Sequence, residues 1–242
     1  MKSIYIMSSK TTTQIPSDFT FESWEDDTLN LKPQLLRGLY AFGFDQPSPI
    51  QKKAVGPMIA KDDNGARKDI IAQAQSGTGK TGAFSVSVLE IVDAKNDNTQ
   101  ALILAPTHEL ANQIKNVITS LGNFLKIRIQ LLVGGTSVDD DKNKLENDKP
   151  QIVVGTPGRV HDMIRRKYLQ TEHKSVLVLD EATSALDNET EARVMQNIYG
   201  LRSDLTMFMV AHRLSTLSHC DRIFRVSRDG ILAEIDKSDV LV

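Results

Sequence analysis

The residues with the clearest chemical capacity are Ala74-Gln75-Ser76-Gly77-Thr78-Gly79-Lys80-Thr81, a glycine-rich run ending in Gly-Lys-Thr. Glycines at this spacing let successive backbone N–H groups curl around an anion. A lysine that follows them reaches the outer oxygens of a triphosphate, and the next hydroxyl can ligate Mg²⁺. Ala74 stands where the general pattern has glycine. Gln75, Ser76, Gly77, Thr78, Gly79, Lys80 and Thr81 are therefore the expected cradle for ATP, with Thr81 on the metal. A second piece lies at Val176 to Glu181, an apolar run that ends in two acids. Asp180 is suited to hold the metal by way of water, and Glu181 to polarise an attacking water.

Such groups must be carried on a frame that brings distant segments together. Short apolar, β-branched runs recur at Asp69 to Gln73, Ala101 to Ala105, Ile127 to Val133, Gln151 to Val154, Val176 to Leu179 and Met207 to Val210, with helical stretches between them. This alternation predicts an α/β P-loop fold, a mainly parallel sheet with helices on both faces. In such sheets ligands gather at the carboxyl ends of the strands. Leu31, Leu35, Leu36, Leu39 and Tyr40 recur at helical spacing and stop at Gly43, a C-cap signal. Asp229-Gly230 between Arg222 to Val226 and Ile231 to Ile235 predicts a C-terminal β-hairpin.

The bulk numbers narrow the partners. With 242 residues and a net charge of −2, the chain has no overall basic field, so any nucleic acid must be held by local groups. One cysteine, Cys220, excludes an internal disulfide framework and fits a reducing compartment. No leader is expected at Met1 to Met7, and no run approaches the about 20 apolar residues of a membrane span, so a cytoplasmic, soluble protein is expected. Residues 1–20, rich in Ser, Thr and Lys, read as a flexible tail before a single ATP-binding domain at 21–242. Asp139 to Lys149 reads as a solvated helix or loop without function.

From about Trp24 to Ala182 the sequence resembles the first RecA-like lobe of DEAD-box RNA helicases, in particular the translation initiation factor 4A group. Gly43-Phe44-Asp45-Gln46-Pro47-Ser48-Pro49-Ile50-Gln51 is similar to that family's adenine-selecting Gln motif. The resemblance implies that Gln51 reads the adenine edge, with Phe44 in the same motif and Trp24 or Phe21 as the stacking aromatic. A structural, buried Trp24 is the alternative. It also implies single-stranded RNA held by its backbone at Pro106, Thr107, Gly135, Thr156, Pro157, Gly158 and Arg159, chemistry that hydroxyls, amides and one arginine can do without reading sequence. His108 stands where the family has arginine.

After Ala182 the resemblance changes. Leu179 to Asp187, reading LDEATSALD, looks like the Walker B and D-loop of an ABC transporter ATPase, and Ala211-His212-Arg213-Leu214-Ser215-Thr216 looks like its H-loop. The division implied is helicase-like at 21–182 and ABC-like at 183–242, a chimera within one domain. His212 is either a third catalytic group, at the γ-phosphate, or a structural histidine. Ser184 and Asp187 read as a helix start, since the ABC signature they would face is missing. A second helicase lobe and an ABC partner are both expected to be absent from the chain, so slow basal hydrolysis is the expectation; a non-hydrolysing chimera and a transporter ATPase fragment remain open.

Overall fold

Pro33 and Pro49 each stand at the first position of a helix, Ser48 caps the second, and β-branched runs further along form the strands. The computed structural model describes residues 2–7, 20–61, 67, 69–72, 77–170, 172, 175–180, 206–210, 222–226 and 232–235. In chain order the elements are β1 (Lys2–Met7), α1 (Pro33–Ala41), α2 (Pro49–Ile59), β2 (Asp69–Ala72), α3 (Lys80–Ile91), β3 (Ala101–Leu104), α4 (His108–Leu121), β4 (Ile129–Leu132), α5 (Val138–Asp148), β5 (Ile152–Gly155), α6 (Pro157–Arg165), β6 (Val176–Asp180), β7 (Thr206–Val210), β8 (Arg222–Val226) and β9 (Leu232–Ile235).

The strands form one sheet in the order β4-β5-β3-β6-β7-β2-β1-β8-β9. Its first six members are parallel. The chain runs from β2 past two positions to β3, on to β4, then back through β5 and β6 to β7. Right-handed crossovers therefore put α3 and α4 on one face and α5 and α6 on the other. β3 and β5 are buried along their whole length, as strands covered on both faces should be. Met207 and Phe208 of β7 are likewise buried in the sheet.

Two features differ from the sequence reading. Lys2–Met7, assigned to a flexible tail on composition, is a strand paired antiparallel to both β2 and β8. Its Ile4-Tyr5-Ile6 run is good strand sequence that the Ser/Thr/Lys content of the following residues outweighed. Asp139 to Lys149 is not wholly solvated either: α5 buries Asp141 and Leu145. The predicted hairpin is present as the antiparallel pair β8 and β9.

The P-loop helix α3 is tied down at its far end by Lys32. The Lys32 ammonium donates to the carbonyls of Leu89, Glu90 and Val92, and its own N–H donates to Glu90 Oε2 at 2.9 Å. A cation there satisfies last-turn carbonyls and opposes the negative end of the helix dipole. Burial holds the Lys32 ammonium below its usual range and the Glu90 carboxyl above its own, so desolvation outweighs the attraction between them. Lys32→Met should lower stability by about 2 kcal/mol, the scale of losing charge-assisted bonds at a helix end. Urea unfolding checks this, and an unchanged midpoint would refute the capping role.

Candidate nucleotide site and phosphodiester face

Gly77 and Gly79 both have left-handed backbones, with φ of 81° and 95°. That conformation is open to glycine and strained for other residues. It turns the chain so that Gly79 is the N-cap of α3 and Lys80 and Thr81 begin its first turn. First-turn amides have no intrahelical acceptor, which makes this end a ready anion site. Lys80 and Thr81 are half-buried at that end.

The turn is braced by α2. Ser48 is the N-cap of α2 and Gln51 its third residue, and Gln51 Oε1 accepts from Ser48 N–H at 2.8 Å. Ser48 Oγ donates to the Thr78 carbonyl at 3.1 Å, and Gln51 Nε2 donates to the Gly79 carbonyl at 3.3 Å. Gln51 is only 4% exposed. A Ser-x-x-Gln spacing is itself a helix-start signal, so the motif that suggests base recognition also folds its own helix.

Phe44 reaches this brace from α1. The N–H groups of Phe44 and Gly43 donate to the carbonyls of Leu39 and Tyr40, closing α1 in a Schellman turn with Gly43 at φ 86°. The ring is set against Gly82: a Cβ there would lie 2.9 Å from Phe44 Cε2 and would collide with Gln51 Nε2. Trp24 is elsewhere. It is fully buried and packs on Phe21 with ring centroids 5.6 Å apart, and Phe21 is 1% exposed, so neither ring offers a face to a base. The alternative reading of Trp24, a structural core residue, is the one the geometry gives.

The acidic half lies at the same end of the sheet. Asp180 ends β6 and sits opposite Val210 of β7, while β7 pairs on its other side with β2 through Ile70 and Phe208. With one strand between them, β2 and β6 are about 10 Å apart. A metal–triphosphate group spans such a gap. Gln75, Ser76, Glu181, His212, Ser184 and Asp187 lie outside the described residues.

Further along the same edge, β4, β5 and β3 are adjacent, with Leu132 and Leu104 both opposite Gly155. The three turns that follow are therefore side by side. Pro106-Thr107 leads into α4, where Thr107 Oγ1 accepts from Leu110 N–H at 3.2 Å. Gly134-Gly135 leads into α5, with Gly135 at φ 84°. Thr156-Pro157-Gly158 leads into α6, with Pro157 at its first position. Thr107, Gly135 and Gly158 are exposed. Three helix N-termini thus face the same way, a surface that favours anions. Arg159 departs from the expected phosphate contact: its side chain is 10% exposed, and its terminal nitrogens lie 2.7 Å from Asp141 Oδ2 and from the Thr136 carbonyl oxygen. It points into the fold, where an arginine's rigid fork can join two acceptors. Asp141, its partner, was not legible as a site residue because it sits in a run of exposed acids.

A parallel sheet with a braced glycine turn and an acid at the end of a strand two places away defines a P-loop domain of RecA-like fold. Comparison with known proteins carries the assignment further. The DEAD/DEAH box helicase family matches residues 48–212, past the change of resemblance at Ala182. The chain belongs to that family. It is 52% identical over 173 residues to the ATP-dependent RNA helicase eIF4A of Botryotinia fuckeliana, a match that covers 72% of this chain and 42% of that protein. The eIF4A of Neurospora crassa matches to the same extent. The chain thus spans less than half the length of these curated relatives. Among solved structures, a DEAD box protein from the hyperthermophile Methanococcus jannaschii aligns with a TM-score of 0.68 at 30% identity, over 82% of this chain and 52% of that one. S. cerevisiae Dbp5 bound to RNA and ADP BeF3 aligns with a TM-score of 0.65 at 34% identity, over 80% and 48%. Among the described residues no helix is long and apolar enough to cross a membrane.

Gly82→Ala tests the brace. The added methyl must displace Gln51 and Phe44, and overpacking of this kind costs about 1–3 kcal/mol. ATP affinity measured by calorimetry should fall roughly 5-fold or more; unchanged affinity would show that the Gln51 and Phe44 positions do not matter to the nucleotide.

Proposed function

We propose that this chain is an ATP-binding helicase lobe that holds Mg²⁺–ATP at Gly77 to Thr81, hydrolyses it slowly and contacts the backbone of single-stranded RNA, without unwinding RNA alone. The observation that carries this reading is the doubly braced glycine turn at the start of α3, two strands from Asp180. The residues fit the nucleotide: two positive-φ glycines let the amides converge, Lys80 would neutralise the outer phosphates, Thr81 would ligate the metal and Asp180 would hold one of its waters. Bound there, Mg²⁺ would supply charge stabilisation at the terminal phosphate, and Glu181 would polarise the attacking water.

Adenine selection rests on Gln51. Its oxygen has a second lone pair and its nitrogen a second hydrogen beyond those committed to Ser48 and Gly79. One further acceptor and one further donor match the N6 amino group and N7 of adenine. Guanine presents an acceptor in place of the amino group, so GTP sets an oxygen against the second lone pair of the Gln51 oxygen, which then keeps only its bond from Ser48. RNA contacts are assigned to Thr107, Gly135, Thr156 and Gly158 through amides and hydroxyls at three helix starts, with Pro106 and Pro157, which have no N–H, lining the same turns with their rings. The match covers 42% of the eIF4A relative's length, which supports a reading in which unwinding takes more than this lobe.

The C-terminal quarter has a separate parentage. Residues 183–242 are ABC-like by the LDEATSALD and Ala211 to Thr216 motifs, and β7 seated between β6 and β2 supports a join that keeps the sheet continuous. His212 is assigned to the γ-phosphate side on that basis. A non-hydrolysing chimera is the competing reading, distinguished by a melting shift with phosphate release at background.

Mg²⁺–ATP at a hundred times its Kd should stabilise the chain by about 2.7 kcal/mol, a rise in Tm of roughly 5–10 °C for a domain of this size. Lys80→Ala should remove most of that shift, and retention of the full shift would sink the assigned site. Gln51→Ala should erase a preference for ATP over GTP; equal shifts with the two nucleotides in the unaltered chain would discard its role as base reader.

A further inference from the structure

Asp141 is the one buried member of the acidic start of α5, while its neighbours Asp139 and Asp140 are exposed. One of its oxygens, Oδ2, serves two groups. Arg159 Nη1 lies 2.7 Å from it and Thr136 Oγ1 lies 2.9 Å from it. The Thr136 hydroxyl is also 2.9 Å from the Val133 carbonyl, and its single proton can serve one acceptor at a time. The other arm of Arg159 donates to the Thr136 carbonyl at 2.7 Å. Arg159 is in the first turn of α6, and Thr136 closes the Gly134-Gly135 turn before α5. A carboxylate 3% exposed and a guanidinium 10% exposed therefore rivet two of the three turns on the phosphodiester face to each other.

We propose that Asp141 is a positioning residue for RNA binding, which presets the Gly134–Thr136 and Thr156–Gly158 turns so that the Gly135 and Gly158 amides and the Thr156 hydroxyl face one backbone in common. The inference rests on the RNA reading above. It differs from a charge effect in sign. Arg159 is neutralised by Asp141, and Glu109, Asp139 and Asp140 are exposed carboxylates along the same helix starts. On electrostatics alone, removing a negative charge here strengthens the hold on a polyanion. Loss of the rivet weakens it, because first-turn amides bind phosphate only where the turns are aimed together.

The test uses the full chain with Mg²⁺ and a non-hydrolysable ATP analogue. Binding of a fluorescent single-stranded oligouridylate is read by anisotropy, and the analogue's melting shift is read in parallel. Asp141→Asn should weaken RNA binding roughly 5-fold or more, the scale of one or two lost phosphate bonds, while the melting shift given by the nucleotide stays as in the unaltered chain. Asp141→Glu, which keeps the carboxylate, should recover most of the loss. Thr136→Val, at an exposed residue, should weaken RNA binding in the same direction and carries the test if Asp141→Asn does not fold. RNA binding that is unchanged or tighter in Asp141→Asn, or in Thr136→Val where Asp141→Asn does not fold, overturns the inference. So does a failure of Asp141→Glu to recover it, or an equal loss of the nucleotide shift. Absence of RNA binding in the unaltered chain overturns the RNA reading itself.

Discussion

Hydrogen bonds from β7 to β6 on one side and β2 on the other set the width of the phosphate site. The acid that ends β6 and the glycine turn that follows β2 belong to strands that do not touch, so their separation is one strand wide and fixed by the ladder. Every other feature of the nucleotide site is arranged around that interval. Lys80 and Thr81 enter from α3, and α3 is held in place by Lys32 at its opposite end.

The Gly-rich turn is not left to itself within this frame. Ser48 and Gln51 bond to consecutive carbonyls of the turn, and they do so from the first turn of a helix whose start their own side chains help to fix. The start of α2 and the glycine turn are therefore mechanically joined through one buried amide. Phe44 completes the arrangement because a Schellman turn delivers it against Gly82, where no Cβ intervenes. The phosphodiester face follows the same logic one sheet position at a time, since parallel strands in register bring three helix starts to one edge.

Much of this was legible from residue types. Gly-Lys-Thr after a strand, acids at the end of another and β-branched runs between helical stretches sufficed for the fold and for the glycine turn that opens α3, because they rely on local chemistry. Strand ends shifted by a residue or two, as at β4 and β5, because an end is set by the last ladder bond and not by residue type. What the sequence did not yield depends on packing. Trp24 buries against Phe21, Arg159 turns inward, and Asp141 differs from Asp139 and Asp140 only in the side of α5 it occupies. The Ile4-Tyr5-Ile6 strand was obscured by the polar residues after it. Neither the spacing nor the composition of these segments records the partner that decides their role.

The seat of β7 also dictates an order of assembly. Its residues, 206–210, come from the last part of the chain, yet they separate β2 from β6 in the middle of the sheet. During synthesis the edges of β2 and β6 must wait, unpaired on that side, until this late strand has emerged, and such distant pairings form slowly. A ligand that spans the ends of β2 and β6 can draw the folding equilibrium forward only after that insertion. A growing chain consequently has no complete site between them until residues 206–210 have been made, and the exposed edge of β2 is the surface a chaperone would have to shield in the interval.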